Sequence, residues 1–415
     1  MFFFFRKKEK TLNSQPQKIN IMFKSFLLLD LFVFFCVFAL PTYDLTDPSN
    51  CLLKGRYLVT ENRTVKADIE LFSLSFIVEN ATAIQLLLRD NTFGGARLGV
   101  TLDTRVESSF GGGDPNPSGS AMPGLRVSTL LTSSLVDTYN LGSGGQIHGL
   151  TLIVTVTLLS EWEMIKSKFG EELEFLGIST DGRLLPPPSR PTRRLAILGD
   201  SLSSGVGPGF DVPSGVSCGA GVPIDDVEKT WGALLCANFT AECEVVAASG
   251  ITITADTTYN LPLVFPWSLG AMSGSDWPAA SRVPWSTRAH PVDAVLIELG
   301  ENDCHAFNCS SPKSLQRLAT AYVQFVTILA TQFYTRVTPF FLTIANHEAG
   351  QSGAMLSAIP SLLQEGFNVT FLNATSPDSL DGVNINTGCA GHPSYLQNIV
   401  SFSRAQKTLA SALGW

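Results

Sequence analysis

Two hydrophobic periods divide this chain. Between residues 50 and 185 apolar and polar positions alternate with period two. Phe72, Leu74, Phe76 and Val78 stand against Ser73 and Ser75, and Ile84, Leu86 and Leu88 against Gln85 and Arg89. Residues 98–102 and 150–158 continue the pattern, the latter with Thr151, Thr155 and Thr157 interleaved. Apart from one short stretch around 161–169, no helical repeat intervenes, so an all-β sandwich is predicted over 50–185. Residues 108–124, rich in Gly, Ser and Pro, read as a surface loop.

Pro186, Pro187, Pro188 and Pro191 mark a stiff connector at 186–193, because successive prolines cannot extend a sheet ladder. After it the pattern changes. Apolar runs of strand length at 195–198, 245–248, 294–299, 339–344 and 369–372 alternate with helical patterns at 230–239, within 314–334, near 354–365 and at 395–413. This predicts an α/β domain over 194–415, a parallel sheet with helices on both faces. Such sheets bind ligands at the carboxyl ends of their strands, and three of those ends carry candidate chemistry. They are Gly199-Asp200-Ser201, Ser249-Gly250 and Gly300-Glu301-Asn302-Asp303.

Ser201, lifted out of a sheet edge by a small-residue turn, can present a hydroxyl for attack while its own N–H faces the oxygen that becomes negative during acyl transfer. Gly250 has no side chain to obstruct its N–H, and Asn302 offers an uncharged NH2 to the same oxygen. Five histidines compete for the role of base. His148 lies in the sandwich and His290 precedes a strand, on the wrong side of the sheet. His305 and His347 follow strands, and His392 sits in Gly388-Cys389-Ala390-Gly391-His392-Pro393, just before the last helix. Asp200 and Asp303 read as turn-fixing residues. The Gly-x-Ser-x-Gly match at 215–219 follows no strand and reads as a loop. An insert at 261–291 carries Trp267, Trp277 and Trp285, either as a sugar-stacking wall, with Trp285 the first ligand contact, or as anchors for a long loop.

The net charge is −8, but the first 39 residues hold six basic and two acidic side chains, so the remainder stands at −12 and repels phosphate backbones. A nucleic-acid partner is therefore not expected. Residues 1–21 form a polar, basic extension after a phenylalanine run. Residues 22–39, with Lys24 before an apolar stretch and Val37-Phe38-Ala39 at its end, read as a secretory signal peptide; an uncleaved anchor is the alternative. Once the signal is removed, no stable membrane partner is expected. Seven cysteines lie beyond it, and the close pairs Cys236/Cys243 and Cys304/Cys309 can close small loops, leaving an odd one. Six Asn-x-Ser/Thr sequons, at Asn62, Asn80, Asn238, Asn308, Asn368 and Asn373, fit a secreted glycoprotein. No spacing suits a structural zinc site, and neither metal nor cofactor is expected.

Gly199-Asp200-Ser201-Leu202, a glycine after the next strand, Gly300-Glu301-Asn302-Asp303 and a late His392-Pro393 resemble, in that order, the four blocks of the SGNH (GDSL-type) hydrolase superfamily. The sandwich ahead of them is similar to the arrangement of carbohydrate esterase family two. So are Leu53-Lys54-Gly55-Arg56-Tyr57, Phe175-Leu176-Gly177-Ile178, Thr230-Trp231-Gly232 and Ala248-Ser249-Gly250-Ile251. The resemblance implies a flavodoxin-like three-layer α/β hydrolase domain preceded by a jelly-roll-like sandwich. It implies Ser201 as nucleophile, His392 as base, and Ser201, Gly250 and Asn302 as oxyanion donors, acting on O-acetyl groups of polysaccharides or oligosaccharides. One position departs from the superfamily: the aspartate three residues before the histidine is replaced by Cys389. A Ser-His dyad, or Asp378 or Asp381 as third member, stay open, as do a GDSL-type lipase or short-acyl esterase, a lectin-like protein with a degenerate esterase domain, and an acetyl transferase.

Overall fold

The computed structural model describes residues 40–90, 97–104, 125–131, 135–143, 150–159, 173–208, 225–255, 260–269, 282–345, 349–377, 379–380, 383–385 and 388–415. The basic extension, the signal segment, the loop at 108–124, the stretch at 161–169, the Gly-x-Ser-x-Gly segment, Trp277, His148, His347, Asp378 and Asp381 lie outside these.

The period-two region forms two antiparallel sheets. One runs Leu58–Val59, Val65–Ala67, Leu173–Thr180, Ala83–Asp90, Leu135–Ser143, with Thr42–Tyr43 beside Leu173–Thr180. The other runs Arg183–Leu185, Ser73–Glu79, Thr151–Leu158, Arg97–Thr104, Leu125–Leu131, with Leu52–Lys54 beside Ser73–Glu79. Leu74, Phe76, Val78, Val154 and Val156 of one sheet meet Ile84, Leu86, Leu88, Phe175 and Ile178 of the other in a common core. The polar side of the Ser73–Glu79 strand is buried as well. Ser73, Thr155 and Thr157 face Ala233, Ala237 and Glu242 of the α/β half across a cavity of about 270 Å³. Small hydroxyl side chains suit that position, since they pair with each other, as Ser75 Oγ and Thr155 Oγ1 do at 3.0 Å.

The α/β half is built on five parallel strands: β1 (Arg193–Gly199), β2 (Ala241–Ala247), β3 (Ala294–Glu298), β4 (Phe340–Ile344) and β5 (Val369–Asn373). Their order is β2-β1-β3-β4-β5, the flavodoxin-like order, whose switch point falls between β1 and β3. Helices α1 (Ser201–Ser204), α2 (Trp231–Phe239), α3 (Leu261–Val264), α4 (Glu301–Phe307), α5 (Pro312–Ile328), α6 (Ala349–Gln364) and α7 (Tyr395–Leu413) connect and cover them. Successive side chains of β3 take opposite faces. Val295 and Ile297 pack with Leu318, Tyr322 and Phe325 of α5 and Met355 of α6. Ala294 and Leu296 pack with Trp231 and Leu235 of α2 and Leu409 of α7. Two-sided burial is why these strands read as unbroken apolar runs.

Caps explain the helix limits. Ser394 and Gln397 form a reciprocal capping box at the start of α7, and Gly414 closes it in the left-handed conformation. Thr230 caps α2, accepting from the Ala233 N–H. Cys236–Cys243 ties α2 to β2, Cys304–Cys309 staples α4, and Cys389 is also disulfide-bonded. Cys51 keeps a buried thiol, its pKa pushed up to about 12 by burial.

Residues Thr42–Trp415 form one compact unit in which the sandwich is locked to the α/β half by Arg56. This side chain is fully buried, donates from Nε to Glu244 Oε1 of β2 at 2.8 Å, and donates from Nη1 to the carbonyls of Phe265 and Trp267 at 2.6 and 3.1 Å. Its guanidinium lies 4.5 Å from the Phe265 ring centroid. Among the described residues, no helix is long and apolar enough to cross a membrane.

Candidate active site

Gly199 pairs with Ala247 on one side and Glu298 on the other, so β1, β2 and β3 end level and the segments after them emerge at one sheet edge. Asp200 caps α1, its Oδ1 accepting from the Leu202 N–H at 3.1 Å. Ser201 is therefore the first residue of the helix, where its N–H has no intrahelical acceptor. His392 Nε2 lies 2.7 Å from Ser201 Oγ, across a sequence separation of 191. The histidine stands between a 3-10 turn (Cys389–Gly391) and α7, and its N–H donates to the Cys389 carbonyl at 3.0 Å. Gly207, at φ +101°, backs directly onto it: a Cβ there would sit 2.7 Å from His392 Cβ. The loop after α1 and the histidine turn approach this closely only because position 207 is glycine.

Gly250 has φ +75° and open space where a side chain would stand. Asn302, at the start of α4, donates one amide hydrogen to the Ile251 carbonyl at 3.0 Å, leaving the second for another acceptor. Asp303, fully buried, accepts from the Ile253 and Thr254 N–H groups at 3.0 Å each. In the turn-fixing role the sequence suggests, it holds the loop after β2, which ties the start of α4, where Asn302 stands, to the Gly250 loop. The Leu299 carbonyl, just before Gly300, accepts from the Tyr322 hydroxyl and from Gln351 Nε2.

The acidic groups beneath this edge share a dry environment. Burial, with Glu301 and Glu298 nearby, holds the Asp200 carboxyl well above the usual carboxylate range. Burial pushes Glu298 up to about 7, against hydrogen bonds from Ser203 and Trp231 that act the other way. Glu298 thus binds its proton more tightly folded than unfolded. The resulting stability is fully present below about pH 4.5 and is lost as pH rises to about 7, a change of roughly 3 kcal/mol. Glu298→Gln, uncharged and of the same shape, is expected to flatten this dependence. Urea unfolding of both proteins at about pH 4.5 and pH 8 checks it; the variant gains relative to the wild type at the higher pH, and a constant difference would contradict the titration.

Other expectations fall differently. His290 Nδ1 lies 3.4 Å from Arg194 Nη2, at the amino end of β1, and His305 is exposed on α4, 3.8 Å from Glu301. Trp285 is buried, at 7% exposure, which fits the second of its two readings, an anchor for the loop it belongs to. Its ring stacks on His290 at 4.3 Å, with the Arg56 guanidinium 5.4 Å from it and Tyr57 edge-on at 6.2 Å. That cluster fills the joint between sandwich and α/β half, at the opposite end of β1 from Ser201. Cys389, tied up in a disulfide, offers the imidazole no carboxylate substitute. Sequence reasoning missed Glu298 and the Trp231 indole, whose signal was an acid closing an otherwise apolar strand.

No protein-family model and no curated protein sequence matches the chain. Solved structures do. A family two carbohydrate esterase from Cellvibrio japonicus superposes with TM-score 0.68 at 18% identity, covering 90% of this chain and 98% of that one. One from Clostridium thermocellum, in complex with cellohexaose, gives 0.66 at 18%, covering 88% and 100%. An acetyl xylan esterase from the rumen bacterium Butyrivibrio proteoclasticus gives 0.70 at 14%, covering 91% and 99%. At these scores and coverages, the chain has the fold of the family two carbohydrate esterases.

Proposed function

We propose that this protein is a secreted serine esterase that removes O-acetyl groups from polysaccharides of the xylan or mannan type, its N-terminal sandwich being jelly-roll-like. The observation that carries the reading is the 2.7 Å contact between Ser201 Oγ and His392 Nε2 at the edge where Gly250 and Asn302 also stand. In the proposed cycle His392 takes the Ser201 proton as Oγ bonds to the acetyl carbonyl carbon. The oxyanion accepts from the N–H groups of Ser201 and Gly250 and from Asn302 Nδ2, each such donor contributing about 3 kcal/mol in the transition state. The C–O bond to the sugar then breaks, and His392 returns the proton to the departing hydroxyl. Water, deprotonated by His392, attacks the acyl-serine; the Oγ–acyl bond breaks, His392 returns that proton to Ser201 Oγ, and acetate leaves. The histidine turn that carries this proton is braced by the Cys389 disulfide, and the pair works as a Ser-His dyad or as part of a triad.

Secretion is supported by the disulfides and by the sequons, since all six asparagines are exposed. The Ser-His contact favours catalysis over glycan binding alone. Acetate release from acetylated xylan, mannan and pectin tests the substrate class, with Ser201→Ala as blank. A chain-length series of aryl esters tests the acyl group. Activity falling steeply beyond acetyl is expected; a maximum at long acyl chains would favour a lipase.

A further inference from the structure

Resting on the Ser-His reading above, we infer that Glu298 is a positioning residue for both members of that pair, holding α1 from below and the histidine turn through Trp231, Asn398 and Ser394. Glu298 ends β3, level with Gly199, and is 1% exposed. Ser203 Oγ, on the single-turn helix that begins at Ser201, donates to Glu298 Oε2 at 2.5 Å. A helix of four residues has too few internal hydrogen bonds to hold its own orientation, so its anchor decides where Ser201 points.

The second branch runs away from the nucleophile. Trp231 Nε1 donates to the Glu298 carboxylate, 3.0 Å from either oxygen. The backbone N–H of Trp231 donates to Asn398 Oδ1 at 2.9 Å, and Asn398 Nδ2 donates to the Ser394 carbonyl at 2.9 Å. Ser394 caps α7, donates from Oγ to the Ile385 carbonyl at 2.5 Å, and lies two residues past His392. Trp231, Asn398 and Ser394 are all buried, so no bulk water competes for these links. One carboxylate thereby ties the serine turn to the histidine turn across the width of β1.

Glutamine at 298 keeps both branches: its Oε1 accepts from the Trp231 indole and its Nε2 donates to Ser203 Oγ. Alanine removes both, and Trp231→Phe removes one while keeping a ring in place.

The test compares wild type, Glu298→Gln, Glu298→Ala and Trp231→Phe in steady-state aryl acetate hydrolysis and in the rate at which a fluorophosphonate labels Ser201. Glu298→Ala and Trp231→Phe are expected to lose roughly 10- to 100-fold in kcat and in labelling rate with KM within about twofold, as misplacement of reacting groups does. Glu298→Gln recovers most of that loss. A folded Glu298→Ala or Trp231→Phe that keeps wild-type kcat and labelling overturns the inference, as does a loss that Gln does not rescue; where Glu298→Ala fails to fold, Trp231→Phe and the Gln rescue decide. Labelling separates the two levels. A wild type that labels at Ser201 but leaves acetyl esters intact refutes the substrate reading and still judges Glu298 by labelling rate. A wild type that does not label at Ser201 refutes the pair itself and, with it, the role of Glu298.

Discussion

Replacing Ser201 by alanine is expected to lower acetyl-ester turnover by about 10⁴-fold or more, and His392→Ala by a similar factor, with the double variant no worse than either single one. The reason is that the two side chains act through one shared proton. Without the hydroxyl there is nothing to carry the acyl group. Without the imidazole, 2.7 Å away, the hydroxyl loses the base placed to take its proton. Residual activity would come from the oxyanion donors alone. Purified variants assayed at saturating aryl acetate give the ratio, and urea unfolding within about 1 kcal/mol of wild type shows that the fold is intact. Ser201→Ala within tenfold of wild type would end the assignment of this serine.

The second large effect concerns the joint between the halves. Arg56→Met is expected to destabilise the protein by about 3–5 kcal/mol, because it strands the Glu244 carboxylate in a region from which water is excluded. Adding Glu244→Leu should return much of the loss, since an apolar pair of similar volume needs no compensating charge. Denaturant titration of the two single variants and the double variant measures the coupling. If Arg56→Met unfolds within about 1 kcal/mol of wild type, the ion pair is not what holds sandwich and α/β half together. Turnover by molecules still folded should change little, because Arg56 enters at β2 and the Trp285 cluster, remote from Ser201.

These expectations separate cleanly by origin. The strands over 73–79, 83–90 and 151–158 and the five strands of the α/β half were readable because a period of two, or an apolar run, is written in adjacent residues. Helix α7 was readable to its ends, since Ser394, Gln397 and Gly414 supply both caps locally. The short helices α1, α3 and α4 were not, being too brief to show a period. The sandwich's second buried face was not either, because alternation marks two faces without saying what will cover the polar one.

Residue order alone determined that a serine, a glycine, an asparagine and a histidine would each follow a strand or precede a helix, in that sequence, and that the strands would lie parallel. Only the tertiary structure decided the rest: that Trp285 seals a joint, that Asp303 braces a neighbouring loop, that Glu298 stands under the nucleophile turn, and that Arg56 meets the Phe265 carbonyl 209 positions away. Secondary structure depends on torsions and contacts within a few residues. Proton affinity, ion pairing and access to solvent depend on which distant side chains share a volume, and that is settled only when the layers close.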